Sequence, residues 1–252
     1  MIVTTDAVVL HAMKYGDTSK IVTLYTRKYG KLKVIAKGVR SAKNKVGASL
    51  EPMTIASAVF YKKQNRELSL LSKCEIAVPL KNIFAVEEKM TTGLALIELL
   101  SMTMHDEHED EPLYWSVVDT LREIDRAEGN TMNVFIAFIL SFIHRLGLSL
   151  TLDACVHCNR PMEASTGAPR FQLSEGTVVC ASCAGTSAHS GMPLSLGSLR
   201  SMQYLLRAPL VQSTTLTLSV AVRDEVLEIL QAFMRYHIPG MRPLRSLSML
   251  YR

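Results

Sequence analysis

Residues 21–37 read IVTLYTRKYGKLKVIAK, and their pattern decides the fold. Ile21-Val22-Thr23-Leu24-Tyr25 is rich in β-branched and aromatic residues, as a strand is. Arg27-Lys28-Tyr29-Gly30 is a turn, and the chain resumes with Leu32, Val34 and Ala36 alternating with Lys31, Lys33 and Lys37. That alternation is a half-buried strand whose outer face is basic. Working outward, residues 2–13, 54–61 and 67–76 read as three further strands, the last two joined by Lys62-Lys63-Gln64-Asn65-Arg66. Five strands in fewer than 80 residues close most economically as a barrel, which leaves no long unpaired edge.

The chain has 252 residues, of which 48% are apolar, so a substantial core can be buried and disorder is not expected. The net charge of +5 hides a strong asymmetry. Residues 1–80 carry 14 Lys/Arg against 5 Asp/Glu, residues 81–154 carry 5 against 13, and residues 155–252 carry 9 against 5. A basic first region suits phosphate backbones. The acidic second region suits a protein partner and should avoid nucleic acid.

From Pro79 onward the periodicity becomes helical. Met90, Leu94, Ile97 and Leu100 recur at spacings of three or four within residues 86–104, with Glu87 and Glu88 in the first turn, where the helix dipole favours anions. Residues 105–111 form an acidic connector that reads as a solvated loop. Pro112 suits a first helical position ahead of Leu113, Val117, Leu121 and Ile124. Thr131 is placed to cap a helix over residues 133–146 that is apolar nearly all round, so it should lie at the centre of a bundle. Ser195 and Ser219 are placed to cap two later helices. The apolar run beginning at Val134 is about ten residues, short of the roughly 20 that a membrane span needs. The N-terminus lacks the basic stretch and apolar run of a signal peptide, so a reducing cytoplasmic location is expected.

Within the helical region stand two cysteine pairs, Cys155-Val156-His157-Cys158 and Cys180-Ala181-Ser182-Cys183. Two residues between cysteines let one tight turn aim both thiolates at one point, and two such turns complete a tetrahedral shell for Zn2+. The spacer between the pairs is punctuated by Pro161, Gly167, Pro169 and Gly176, as a short hairpin would be. A closed four-thiolate site leaves no open coordination position and is therefore structural. In a reducing compartment a thiolate cluster binds metal in preference to forming disulfides. His157 and His189 are alternative ligands but read as loop histidines, and Cys74 reads as a small buried hydrophobe.

No phosphate-binding glycine loop, dinucleotide fingerprint or nucleophile elbow is present, and no catalytic residue is expected. The functional candidate is the basic surface. Arg27, Lys28, Lys31, Lys33, Lys37, Arg40, Lys43 and Lys45 fall within 19 residues, and Lys62, Lys63 and Arg66 cluster in the last hairpin turn. In an oligonucleotide-binding (OB-fold) barrel the face of strands 2 and 3 and its flanking loops form the binding groove, which both clusters would border. Tyr15, Tyr25, Tyr29 and Tyr61 are either base-stacking platforms or core residues. The architecture expected is α+β: an OB-fold domain over residues 1–79, then a mainly helical domain over 80–252 interrupted by a zinc module at 153–190. A zinc-dependent nuclease, an RNA- or ribosome-binding module and a zinc-stabilised interaction scaffold are the rival readings. Four thiolates oppose the first, because catalysis needs an open metal position.

In this order, the motifs resemble the RecO family of bacterial recombination mediators. Thr5-Asp6-Ala7-Val8-Val9-Leu10 leading to Tyr15-Gly16-Asp17-Thr18-Ser19-Lys20 is similar to the family's first strand and loop, and Lys37-Gly38-Val39-Arg40 to the motif ending its third strand. Residues 147–155 (GLSLTLDAC) resemble its entry to the zinc module, and Tyr236-His237-Ile238 with residues 242–247 (RPLRSL) its closing helix and turn. The resemblance spans essentially the whole chain. It implies binding of single- and double-stranded DNA, annealing of complementary strands, and recombinase loading together with RecR on DNA coated by single-strand-binding protein (SSB). It also implies docking of the SSB tail, one structural zinc, no nucleotide and no membrane.

Overall fold

In the computed structural model, residues 1–40, 45–62, 68–164, 167–185 and 191–251 are described. They fall into two compact units: residues 1–126 with 244–252, and residues 127–243.

The first unit opens with a closed barrel of β1 (Ile2–Tyr15), β2 (Ser19–Thr26), β3 (Gly30–Ala36), β4 (Ile55–Tyr61) and β5 (Leu68–Val78), in the order β1-β2-β3-β5-β4. Strand β1 is long enough to pair antiparallel with β2 through its C-terminal half and with β4 through its N-terminal half. A parallel pairing of β3 with β5 completes the ring. Every strand therefore has two neighbours, though β3 and β5 share only three residue pairs. The expected alternation holds: Leu32, Val34 and Ala36 point inward with Val22, Leu24, Phe60 and Leu71, while Lys33 and Lys37 are exposed. Cys74 is buried in the same cluster, its thiol donating to the Ser49 carbonyl. The loop after β3 contains a 3-10 turn, Lys45–Leu50, that the sequence pattern did not disclose.

Helices α1 (Glu87–Thr103) and α2 (Glu111–Arg126) complete the unit with a 3-10 turn, Ser246–Tyr251. Of the stripe expected on α1, Ile97 and Leu100 are buried and Met90 and Leu94 half-buried. Thr91, Thr92, Ala95, Leu96 and Leu99 are buried as well, because the helix packs against β1, α2 and the 246–251 turn at once. Its buried Thr92 and Thr103 hydroxyls donate to carbonyls one turn back, which makes their burial affordable. Asp110, not Pro112, sets the start of α2: its carboxylate accepts the Leu113 N–H at 2.9 Å, and Pro112 is the second helical residue.

The second unit is built on α3 (Thr131–Arg145), buried over twelve of its fifteen residues, as the unbroken apolar run requires. Thr131 lies inside this helix. Asn130 occupies the cap position in a left-handed conformation and spends its side-chain amide on the Thr214 carbonyl. A four-stranded sheet follows, β6 (Thr151–Cys155), β7 (Arg170–Gln172), β8 (Thr177–Val179) and β9 (Met192–Pro193), in the order β6-β8-β7-β9, with a single-turn helix α4 (Ala181–Ala184). Helices α5 (Leu196–Arg207) and α6 (Val220–His237) pack on α3 and on each other. Ser195 and Ser219 cap them as expected, accepting the N–H groups of Ser198 and Val222. Among the described residues no helix is long and apolar enough to cross a membrane.

Candidate metal centre and candidate nucleic-acid interface

The strand–turn–strand path of β6 to β8 brings the two cysteine pairs together. Cys155 ends β6, and the following turn presents Cys158; Cys180 immediately follows β8, and α4 presents Cys183. All four sulfurs lie within 4.8 Å of one another, with Cys155 and Cys180 buried and Cys158 exposed. Burial alone would push the Cys155 thiol up, but N–H groups of Cys180, Cys158 and His157 point at its sulfur and hold it down to about 6. Cys183 is pushed the other way, to about 12, by hydrogen bonding with Cys180 and Cys158. Four thiolates cannot ionise side by side without a cation among them, so the chemistry of the donor set fits a soft divalent metal ion. His157 is not part of the cluster of potential ligands, and His189 lies outside the described residues.

The barrel sorts the expected basic residues into three groups. Lys28, Lys33, Lys37 and Arg40 are exposed. Neither Lys33 nor Lys37 has an ion-pair partner among the described residues. Arg40 braces the β1–β2 turn, its guanidinium donating to the carbonyls of Gly16 at 3.1 Å and Asp17 at 3.0 Å. That leaves its charge uncompensated next to Lys37. A second group is already engaged. Arg27 pairs with Glu111 at 2.6 Å and lies over the Trp115 ring, Lys31 pairs with Asp106 at 3.3 Å, and Lys62 pairs with Glu107 at 3.2 Å while covering the Tyr29 ring. The third group is Lys43, Lys45, Lys63 and Arg66. Lys43, Lys63 and Arg66 lie outside the described residues, and Lys45 begins the 3-10 turn at 45–50.

The acidic connector is exposed from His105 to Glu109, as a solvated loop is, and it is also anchored to the barrel. Residue 106 forms a bridge beside Lys31, the Glu107 N–H donates to the Lys31 carbonyl at 2.8 Å, and the Lys31 ammonium donates to the Ser101 carbonyl at 3.2 Å. The segment touches β3 at this one bridge, and its carboxylates meet Lys31 on the strand and Lys62 just after β4. Its approach is close because Gly30 has no side chain: a Cβ there would overlap the His108 backbone. The tyrosines divide likewise. Tyr25 is buried against Tyr114 and donates to the Asp110 carbonyl, and Tyr29 packs edge-on to Phe60. Tyr15 and Tyr61 are exposed, at 51% and 40%.

The described residues comprise a closed five-stranded barrel with exposed lysines on its outer face, and a helical unit that carries a four-cysteine centre. The comparison with known proteins makes this specific. Residues 1–80 match the family model described as recombination protein O N terminal, and residues 88–248 match recombination protein O C terminal. The chain belongs to the recombination protein O family. It is 34% identical over 254 aligned residues to the DNA repair protein RecO of Salinibacter ruber, covering 99% of this chain and 93% of that one. It is 31% identical to the DNA repair protein RecO of Desulfatibacillum aliphaticivorans, covering 99% and 98%, and 28% identical to that of Chloroherpeton thalassium, covering 98% and 96%.

Proposed function

We propose that this protein is a DNA repair and homologous-recombination mediator. It binds single- and double-stranded DNA on the outer face of its barrel, anneals complementary strands, and with RecR helps load recombinase on SSB-coated DNA, docking the SSB tail. The observation that carries this reading is the exposed, unpaired placement of Lys33 on β3 and Lys37 just past its end, on a closed barrel whose turns before and after β3 carry the exposed Lys28 and Arg40. Lys43, Lys45, Lys63 and Arg66 extend the cationic border in sequence, and Arg27, Lys31 and Lys62 join it once their carboxylate partners are displaced. Annealing follows from electrostatics. A cationic surface lowers the repulsion between two polyanions and leaves the base edges free to pair, so no nucleotide hydrolysis or catalytic group is needed.

The four cysteines hold one structural Zn2+. Its role is to tie the 153–190 segment to the helical unit, since strands of two to five residues bury too little to fold alone. The functional division follows the charge: residues 1–79 handle nucleic acid, and residues 80–252 serve the partners in a cytoplasmic, nucleoid-associated setting.

The test is salt-dependent binding to a labelled oligonucleotide by anisotropy, with Lys37→Glu, Arg40→Glu, Lys43→Glu and Lys45→Glu combined. The reversal is expected to abolish binding at physiological salt and to stop strand annealing. Retained affinity would move the function to a protein-interaction scaffold.

A further inference from the structure

Residues that pair across the barrel form one continuous outward row of apolar side chains. Met13 on β1 faces Ile21 on β2, Ile21 faces Ile35 on β3, and Ile35 faces Leu70 on β5. Leu70 in turn faces Tyr61 on β4, and Tyr61 faces Ile2 at the start of β1. Their inward neighbours Val22, Val34 and Leu71 fill the barrel, so the row points to solvent. Met13 is 51% exposed, Leu70 37%, Tyr61 40% and Ile2 60%, and Ile21 and Ile35 are half-buried. A row of large apolar residues on a protein's own surface is costly in water and marks a contact.

Its surroundings identify the contact. The outward residues two positions away on each central strand are His11 and Tyr15, Thr23 and Ser19, Lys33 and Lys37, and Leu68 and Ser72. None is acidic, and two are exposed lysines on either side of Ile35. An apolar stripe with two lysines beside its centre and no carboxylate at these eight flanking positions matches a ligand with flat apolar faces strung on a polyanion. Unstacked bases of a single strand have that chemistry. A duplex, whose bases are stacked inside, does not.

We infer that the Met13–Ile21–Ile35–Leu70 row is a base platform that makes the barrel prefer single-stranded nucleic acid over duplex. This rests on the proposed cationic face and adds what lysines alone cannot supply, because phosphate contacts do not distinguish the two forms by their bases. Strands about 4.8 Å apart make the four-strand row about 14 Å wide. On another four-stranded sheet, two or three bases stack on the surface. Methionine and branched aliphatic side chains do here what aromatic rings do in many single-strand binders.

The test compares a single-stranded oligonucleotide with its duplex on the full-length protein. In Ile35→Ser/Leu70→Ser the ratio of single-strand to duplex affinity should fall about tenfold, with the salt dependence of single-strand binding unchanged. In Lys33→Gln/Lys37→Gln both affinities should fall together, and the salt slope should drop by about two. A row variant that keeps the wild-type ratio while the lysine variant weakens both forms would overturn the platform and leave the cationic face standing. A lysine variant without effect would instead remove the face itself. A row variant that changes only self-association would reassign the stripe to a protein contact. Should the serine pair fail to fold, Leu70→Tyr supplies the opposite arm: a larger ring on the row should raise the ratio, and an unchanged ratio would count against the inference.

Discussion

Two nitrogens of the Arg27 guanidinium converge on one oxygen of Glu111, with Nη2 at 2.6 Å and Nε at 2.8 Å, and the Trp115 indole donates to that same oxygen at 3.2 Å. The hydrogen bond from Arg27 holds the Glu111 carboxyl below the usual carboxylate range. With Lys31–Asp106 and Lys62–Glu107, it makes the acidic connector an internal counterion for part of the barrel's basic surface.

Removing those counterions should strengthen DNA binding. Asp106→Asn, Glu107→Gln and Glu111→Gln together leave Arg27, Lys31 and Lys62 available to phosphates. Affinity should rise at low salt, and the slope of log affinity against log salt should steepen by up to about three. Anisotropy titrations between about 50 and 200 mM salt measure both quantities. An unchanged slope would mean that these three cations never reach the nucleic acid.

Gly30 sets how closely the connector lies. Its φ is +61°, and any side chain would strike the His108 backbone. Gly30→Ala should cost about 1–2 kcal/mol from the left-handed conformation alone and should also lift residues 105–111 off β3. Hydrogen exchange should report faster exchange at the Glu107 amide, which donates to the Lys31 carbonyl.

Glu225 joins the start of α5 to α6. It accepts from the Ser195 backbone N–H at 2.9 Å and from the hydroxyls of Ser195 and Ser198. Burial pushes its carboxyl up, but those hydrogen bonds outweigh it and leave the carboxyl below its ordinary value of 4.5. Stability from such a depressed group is fully present above the ordinary value and is lost as pH falls through the lower folded one. Thermal melts should therefore show acid destabilisation beginning below pH 4.5, and Glu225→Gln should blunt it while costing about 1–3 kcal/mol at neutral pH.

Metal removal should act on the helical unit first. A thiol-reactive mercurial should release one zinc per chain and lower the melting temperature, and Cys155→Ser should do the same without the reagent. Metal analysis during the titration checks the stoichiometry. If the released metal were absent or the melt unchanged, the four-cysteine centre would not be a structural zinc site.

The strands around 21–37 and the two cysteine pairs were legible because each depends on a local pattern: period-two alternation, or two ligands on one turn. The connector was legible as an exposed loop but its anchoring was not, because nothing within residues 105–111 records that Lys31 or Lys62 is near. Ion pairs between distant segments leave no local periodicity. The apolar row was hidden for another reason. The alternation that puts Lys33 and Lys37 outward puts Ile35 there too, but that it meets Ile21, Met13 and Leu70 in one row depends on the cross-strand register, which no single strand records. The placement of the last residues in the first unit was equally silent, because it depends on Glu98 accepting the Ser246 N–H at 2.9 Å across 148 positions.

That last contact makes residues 127–243 an insertion within a unit whose two pieces are separated by more than a hundred residues. On the ribosome the barrel and its first two helices emerge early, yet the turn that packs against α1 is synthesised only after the whole inserted unit. The nascent barrel unit must wait with one flank of α1 uncovered, and a nascent chain halted near residue 243 would keep that unit incomplete although every strand of its barrel had already been made.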